Sequence, residues 1–394
     1  MMTSASNQSN QGRDQGRNQG KDGPGAPLAG VTVIDFSELL PGPFFTQSLA
    51  ELGATVIKIE RPPAGDNARR MGPGVFEAVN RGKRSLCADL KDPAQREKVL
   101  ALIDKADVLV EAYRPGVMAR LGVDYPHLAE RCPRLIYVSL TGYGHCGPWT
   151  DLPGHDVNYM AVAGALSISG DPDGGPAQAF GLPVADLCGA MYALSSTLAA
   201  LYQREKSGRG QHLDVAIADA VLHWMNPRLG AFREMGAQTL QAQREVALTR
   251  PAYGAFKCSD GIYVSVAALE DHFWERLCAA LDLEPFSAQA YRHIKARKAH
   301  AAAINDCIAR ALSTRHSAEV FALLAQYDIP VAPVVEPGQL AGVEQFVRRQ
   351  RLDFGAGTGQ LPLSRFPVSL DGVDPAALKP APPLDEAGGA GPII

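Results

Sequence analysis

The side chains in this sequence that can move a proton, attack a carbonyl carbon or hold an anion gather in a few short runs. One is Pro153-Gly154-His155-Asp156-Val157-Asn158-Tyr159, which follows the Gly-rich loop Thr141 to Pro148. His155 suits a base working near neutral pH. Asp156 as a helix N-cap, with His155 beside it, reads equally well. A second is Asp186, a lone carboxylate in the apolar run Gly181 to Gly189, either a functional acid or an N-cap. A third is Glu270, between a strand and a helix, where capping is the plain reading. The last is basic: Arg61, Lys83 and Arg84 could hold a diphosphate or stack on an adenine, or could be solvated surface cations.

What is missing narrows the chemistry. There is no Gly-x-Gly-x-x-Gly after the first strand, no Walker loop, no His-Glu-x-x-His and no Gly-x-Ser-x-Gly elbow. The net charge of −4 gives no reason to expect nucleic acid or an anionic membrane as partner. Seven scattered cysteines, without a Cys-x-x-Cys pair, argue against a disulfide framework and a structural zinc. A reducing, cytoplasmic setting fits them. The sequence shows neither a secretory signal nor a run expected to span a membrane.

The elements that must position these groups follow from pattern. Residues 1–27 are Asn, Gln, Gly and Ser with scattered charge, and are expected to be a disordered tail. Strands are expected at Val31–Phe36, Thr55–Glu60, Ser85–Asp89, Asp107–Ala112, Leu135–Leu140 and His212–Ile217. Helices are expected up to Leu52, at 93–104 and 115–130, from Val184 to Lys206 and from about Asp219. Alternating strand and helix spell an α/β fold with a doubly wound parallel sheet, here a large domain over 28–227. Residues 228–249 read as a linker. A hairpin at Tyr253–Cys258 and Ile262–Ala267, then helices at 271–282, 297–312 and 316–327, make a smaller α+β domain over 250–335. The Pro- and Gly-rich segment 336–394 is expected to return over the large domain.

Several runs, in order, carry a resemblance. They are Val31 to Ser37, Pro41-Gly42-Pro43, Leu52 to Pro62, Arg81 to Ser85, Tyr113 to Val117, Leu135 to Ser139 and Lys206 to Gln211 with Asp214 to Ile217. Together they resemble the class III CoA-transferase superfamily, the L-carnitine dehydratase/bile-acid-inducible type, from about Leu28 to Val334. The resemblance implies an acyl-CoA substrate, coenzyme A as part of that substrate, and no metal or redox cofactor. It implies an interlocked homodimer with the active site between the large domain of one subunit and the small domain of the other. CoA would be held near Arg61, Arg84 and Ala88-Asp89-Leu90-Lys91, with Gly154, Asp156, Asn158 and Tyr159 beside the bound thioester.

Within the superfamily, Asp186 aligns with an aspartate that is nucleophile in the transferases and acid–base group in the α-methylacyl-CoA racemases. The racemases also carry Gly-His-Asp-x-Asn-Tyr, complete here at Gly154–Tyr159, whose histidine is their second acid–base group. Glu270 resembles the carboxylate that orients that histidine from the partner subunit. Leu248-Thr249 stands where the racemases have Gly-Gly. The resemblance is therefore closest to a racemase inverting the α-carbon of a CoA thioester with His155, Asp186 and Glu270. A CoA-transferase acting through an acyl intermediate on Asp186 is the alternative, and a non-catalytic CoA-binding protein the third reading. A helix N-terminus beside Asp186 is expected to supply donors to a developing oxyanion. It would lower the Asp186 pKa, whereas an apolar site would raise it.

Overall fold

The computed structural model describes residues 25–171, 174–355, 361–370, 379–386 and 388. Up to residue 24, the expected tail lies outside them.

Six strands form one parallel sheet: β1 (Thr32–Asp35), β2 (Thr55–Glu60), β3 (Arg84–Cys87), β4 (Val108–Glu111), β5 (Ile136–Thr141) and β6 (His212–Ala216), in the order β3-β2-β1-β4-β5-β6. Each lies within a residue or two of its expected place. Successive strand residues point to opposite faces. Val33, Val56, Val108 and Val110 thus join one apolar cluster, while Ile34, Ile57 and Leu109 join the other. Burial on both faces is why these strands read as unbroken apolar runs. The chain winds outward from β1 to β3, then returns to the other side of β1 with β4, so the crevice between β1 and β4 is a topological switch point.

Helix α1 (Pro41–Glu51) starts with prolines, which need no N–H partner in the first turn. Asp92 caps α2 (Pro93–Ile103) by accepting from the Ala94 and Gln95 amides. The helix expected over 115–130 is two, Val117–Leu121 and Tyr125–Arg131, because Gly122 stands in the left-handed region (φ 72°) between them. Next come α3 (Asp156–Val162) and α4 (Val184–Ser207). By length and composition α4 is apolar enough to cross a membrane, which corrects the expectation that no run is. Here it is a core helix, burying Ala185, Ala190, Ala193, Leu194 and Ala200 in the first cluster. Gly208, in the left-handed region, ends it by donating to the Arg204 carbonyl.

After α5 (Ile217–Trp224) the stretch 228–249, expected as a linker, is helical: α6 (Asn226–Met235) and α7 (Leu240–Leu248), the latter capped by Thr239. A second sheet pairs β7 (Tyr253–Lys257), β8 (Tyr263–Ala267) and β9 (Val331–Pro333) antiparallel. Against it lie α8 (Asp271–Leu281), α9 (Ile294–Lys298), α10 (Ala301–Ser313) and α11 (Ser317–Gln326). Trp274, Leu277, Ile304, Ile308, Val320 and Leu324 fill the core between them.

The end of the chain runs along the β3 side of the large sheet. The Arg81 guanidinium reaches Asp353 at 2.9 Å and the Ser364 carbonyl at 2.8 Å, and Gly82 donates to the Lys379 carbonyl. Asp385 accepts from the Cys87 amide and donates its own amide to Ser85 Oγ.

Candidate active site

At the switch point, beyond the carboxyl ends of β1, β4 and β5, lies a cavity of about 340 Å³. Its walls come from the loops after those strands: Glu38, Leu39 and Pro41; Tyr113 and Arg114; Thr141, Gly142 and Tyr143. The first turns of α3 and α4 add His155 and Asp186.

The loop after β1 is held by buried ions. Asp35 accepts from the Ser37 amide, from Thr46 Oγ1 (2.6 Å) and from Lys83 Nζ (3.1 Å). Burial alone would raise its pKa, but Lys83 and Lys58 outweigh that and hold the carboxyl at about 2. Lys58 bridges Asp66 (2.9 Å) and the Ser37 carbonyl (2.5 Å). Asp66 in turn accepts from the amide of Leu39, whose φ of 65° is one that L-residues avoid. Lys83, one of the cations considered for an anionic ligand, is thereby consumed in the core: its Nζ also donates to the Pro43 carbonyl, Thr46 and Asn80.

The Gly154–Tyr159 run has a structural account residue by residue. His155 is the N-cap of α3, and its amide donates to Asn158 Oδ1 at 2.9 Å. The Tyr159 hydroxyl donates to the Gly154 carbonyl at 2.7 Å. The Tyr159 ring passes so close to Gly142 and Gly154 that a Cβ on either would lie 2.5 or 2.7 Å from it. Asp156 caps not its own helix but the next one. Its Oδ1 accepts from the Ala185 and Asp186 amides at 2.6 and 3.2 Å. So the cap expected at Asp156 falls to His155 on this helix, and Asp156 serves the next one. It also answers the oxyanion expectation: those two N-terminal amides of α4 already hold the Asp156 carboxylate.

Asp186 lies in the first turn of α4, partly buried. No group among the described residues donates to its carboxylate. Burial, and then the charge of Asp156, push its pKa up to about 7. The helix N-terminus does not win, because burial outweighs it and Asp156 adds a negative charge to the same place. The result is a carboxylate facing the cavity, poorly solvated and unpaired. Such a group is more basic and more nucleophilic than an ordinary aspartate.

The other expected residues lie apart from this cavity. Glu270 is the exposed N-cap residue of α8, beside the second sheet, and its carboxylate caps nothing. Arg61, just past the end of β2, pairs with Glu38 at 2.8 Å and keeps 61% of its side chain exposed, at the rim. Ala88, Asp89, Leu90 and Lys91 follow the end of β3 on the same edge of the sheet. Ala88 and Leu90 are buried, Asp89 and Lys91 exposed. Arg84 begins β3, in register with Ile57 in the middle of β2, and so stands back from that edge. Tyr113, Arg114 and Tyr143 carry no local signal of a site, because only the strand order brings their loops to one crevice. Among the described residues no cluster of His, Cys, Asp or Glu could hold a metal.

Residues 28–387 match the family model for CoA-transferase family III. The chain belongs to that family. Among the relatives of this family III chain, the acetyl-CoA:oxalate CoA-transferase of Acetobacter aceti is 35% identical, over 93% of this chain and 95% of its own. The succinate–glutarate CoA-transferase of Agrobacterium fabrum is 32% identical, over 91% and 93%. A crystal structure of a CAIB/BAIF family protein from Brucella suis superposes with a TM-score of 0.79 at 30% identity, covering 92% of this chain and 97% of that one. Both of these relatives are named as CoA-transferases, which favours the transferase alternative over the expected racemase. The structure adds that the Gly-His-Asp-x-Asn-Tyr run also has a structural role. Within it, Asp156 ties the start of α3 to the start of α4.

Proposed function

We propose that the protein is a CoA-transferase that moves coenzyme A from an acyl-CoA to a second carboxylic acid, with Asp186 as the nucleophile. The observation that carries this reading is the Asp186 carboxylate, desolvated and without a donor, at the switch-point cavity. The chemistry balances with no group beyond it. Asp186 attacks the thioester carbonyl and the C–S bond breaks, leaving an acyl–aspartyl anhydride and CoA thiolate. The thiolate attacks the aspartyl carbonyl, releasing the first carboxylate and leaving an aspartyl–CoA thioester. The second carboxylate attacks that thioester, giving a new anhydride. CoA thiolate then takes the new acyl group, and Asp186 is restored.

Supporting groups follow from placement. The Arg114 guanidinium lines the cavity, is exposed, and makes no ion pair among the described residues. It suits the far carboxylate of a dicarboxylic acid, the class named for the relatives above. Arg61 and the 88–91 turn, on the same edge, suit the phosphates and adenine of CoA. CoA enters as part of the substrate, and no metal takes part. The division into a large and a small domain, and a homodimer with a shared site, are part of the same proposal.

The test is isotopic. The enzyme is incubated with succinyl-CoA and glutarate labelled with ¹⁸O in both carboxylates. Glutaryl-CoA should form, and Asp186 should gain label, because one acceptor oxygen stays on it when the second anhydride breaks. Glutaryl-CoA with no label on Asp186 would remove the nucleophile role. Exchange of an α-proton for solvent deuterium in a 2-methylacyl-CoA, with no transfer, would remove the transferase reading.

A further inference from the structure

The turn that carries Arg114 has open space on two sides. Arg114 and Pro115 line the cavity at Asp186 and also an adjoining cavity of about 260 Å³. The walls of the second include Glu111, Met118, Tyr125, Ser139, His145 and His212. Close packing therefore does little to fix where this turn lies, and hydrogen bonds must do it. One runs from the Val117 amide to the Arg114 carbonyl at 3.1 Å, after the turn. Another comes from the strand before it. Glu111, the last residue of β4, accepts from the Tyr113 amide through Oε2 at 2.9 Å.

The Glu111 side chain is itself held by the sheet. It is buried, and Ser139, its register partner on β5, hydrogen-bonds to it. The same Ser139 hydroxyl lies 2.9 Å from Nε2 of His212 on β6, so it can donate to Glu111 while accepting from the imidazole. Tyr125 stacks on that imidazole, ring centres 5.1 Å apart. His145, on the loop after β5, brings Nε2 to 3.8 Å from Glu111 Oε1, and its amide donates to Asp214 on β6 at 3.0 Å. Burial pushes the Glu111 pKa up, so keeping a carboxylate here costs free energy. The residues before it on β4, Val108 to Val110, are buried and apolar, and a leucine would continue them. What the carboxylate adds is an acceptor for the Tyr113 amide, braced from two neighbouring strands. Small displacements of a group that positions substrate are costly to a reaction, so such a brace has a use.

We propose that Glu111 is a positioning residue: its bond to the Tyr113 amide fixes the turn that carries Arg114, and through Arg114 the preference for a dicarboxylic acceptor. This rests on the transferase reading, with Arg114 holding the far carboxylate. The test is a competition between glutarate and butyrate for one donor, succinyl-CoA. The ratio of glutaryl-CoA to butyryl-CoA formed gives the ratio of kcat/KM values, and does not depend on how much of a variant is folded. Glu111→Leu removes the acceptor and fills its space, as Glu111→Met does. Either should lower that ratio about tenfold, the size of one lost hydrogen bond. Glu111→Gln keeps an oxygen for the Tyr113 amide and should retain most of the parent ratio. Adding Glu111→Leu to Arg114→Gln should lower the ratio no further than Arg114→Gln alone, since one acts through the other. An unchanged ratio in Glu111→Leu and Glu111→Met, beside a fall in Arg114→Gln, would overturn the positioning role and leave Arg114 its carboxylate. An equal fall in Glu111→Gln, or falls that add in the double variant, would overturn it as well. No fall in Arg114→Gln would remove the carboxylate role of Arg114 and this proposal with it, while transfer through Asp186 would stand.

Discussion

At the residue scale the function rests on how one carboxylate is treated. Asp186 must be ionised to attack a thioester, and its pKa stands near 7. Transfer measured as kcat/KM should therefore rise with pH up to about 7 and level above it, whereas an ordinary aspartate would give full activity from about pH 5 upward. The same shift has a stability cost. The folded state favours the protonated form, so the contribution is complete below about pH 4 and is lost as pH rises through 7. Asp186→Asn should abolish transfer yet raise the melting temperature at pH 8 by a few degrees relative to the parent, a pairing that a simple structural lesion would not give. His155→Ala should keep most of the transfer activity, as the proposed chemistry needs no acid or base beyond Asp186. Arg114→Gln should raise KM for glutarate at least tenfold and change little with a monocarboxylate acceptor, read from steady-state kinetics.

At the element scale the site is a joint between two helix starts. Asp156 satisfies two amides at the head of α4 and, from the same position, repels the charge on Asp186. Capping and pKa tuning are one interaction. Asp156→Asn keeps the shape of the cap but removes its charge, so the acid limb of the pH profile should move to lower pH. Asp156→Ala should do the same and also cost about 1 kcal/mol of stability, as the loss of a helix cap does. Chemical denaturation of the two variants separates the effects. A limb that stays put in both would mean that burial alone sets the Asp186 pKa.

At the scale of the whole molecule, the end of the chain is part of the fold that carries the site. Arg81, with 8% of its side chain exposed, holds Asp353 and the Ser364 carbonyl together. Arg81→Ala leaves a poorly solvated carboxylate without its partner and should cost about 3–5 kcal/mol, measured from the denaturation midpoint. On the proposed assembly, sedimentation velocity should show a dimer throughout the active concentration range. An active monomer would remove the shared site, and leave Asp186 and its cavity in place.

The sequence by itself determined the parallel sheet, because strands buried on both faces must be apolar throughout and must alternate with helices. It also marked Asp186 and the Gly154–Tyr159 run as dense in chemistry. What it did not determine was which use of that density applies. A histidine and an aspartate side by side read alike whether they trade protons with substrate or tie down two helix ends. Residues 228–249 read as a linker with no element assigned to it, and the structure makes the stretch the helices α6 and α7. The tertiary structure decided that Lys83 is buried among acceptors, that Asp156 takes the amides expected for an oxyanion, and that burial overrides the helix end at Asp186. Each of these is a matter of what lies within a few ångströms across long sequence separations. Local spacing carries no record of that, and the strand order that creates the crevice does.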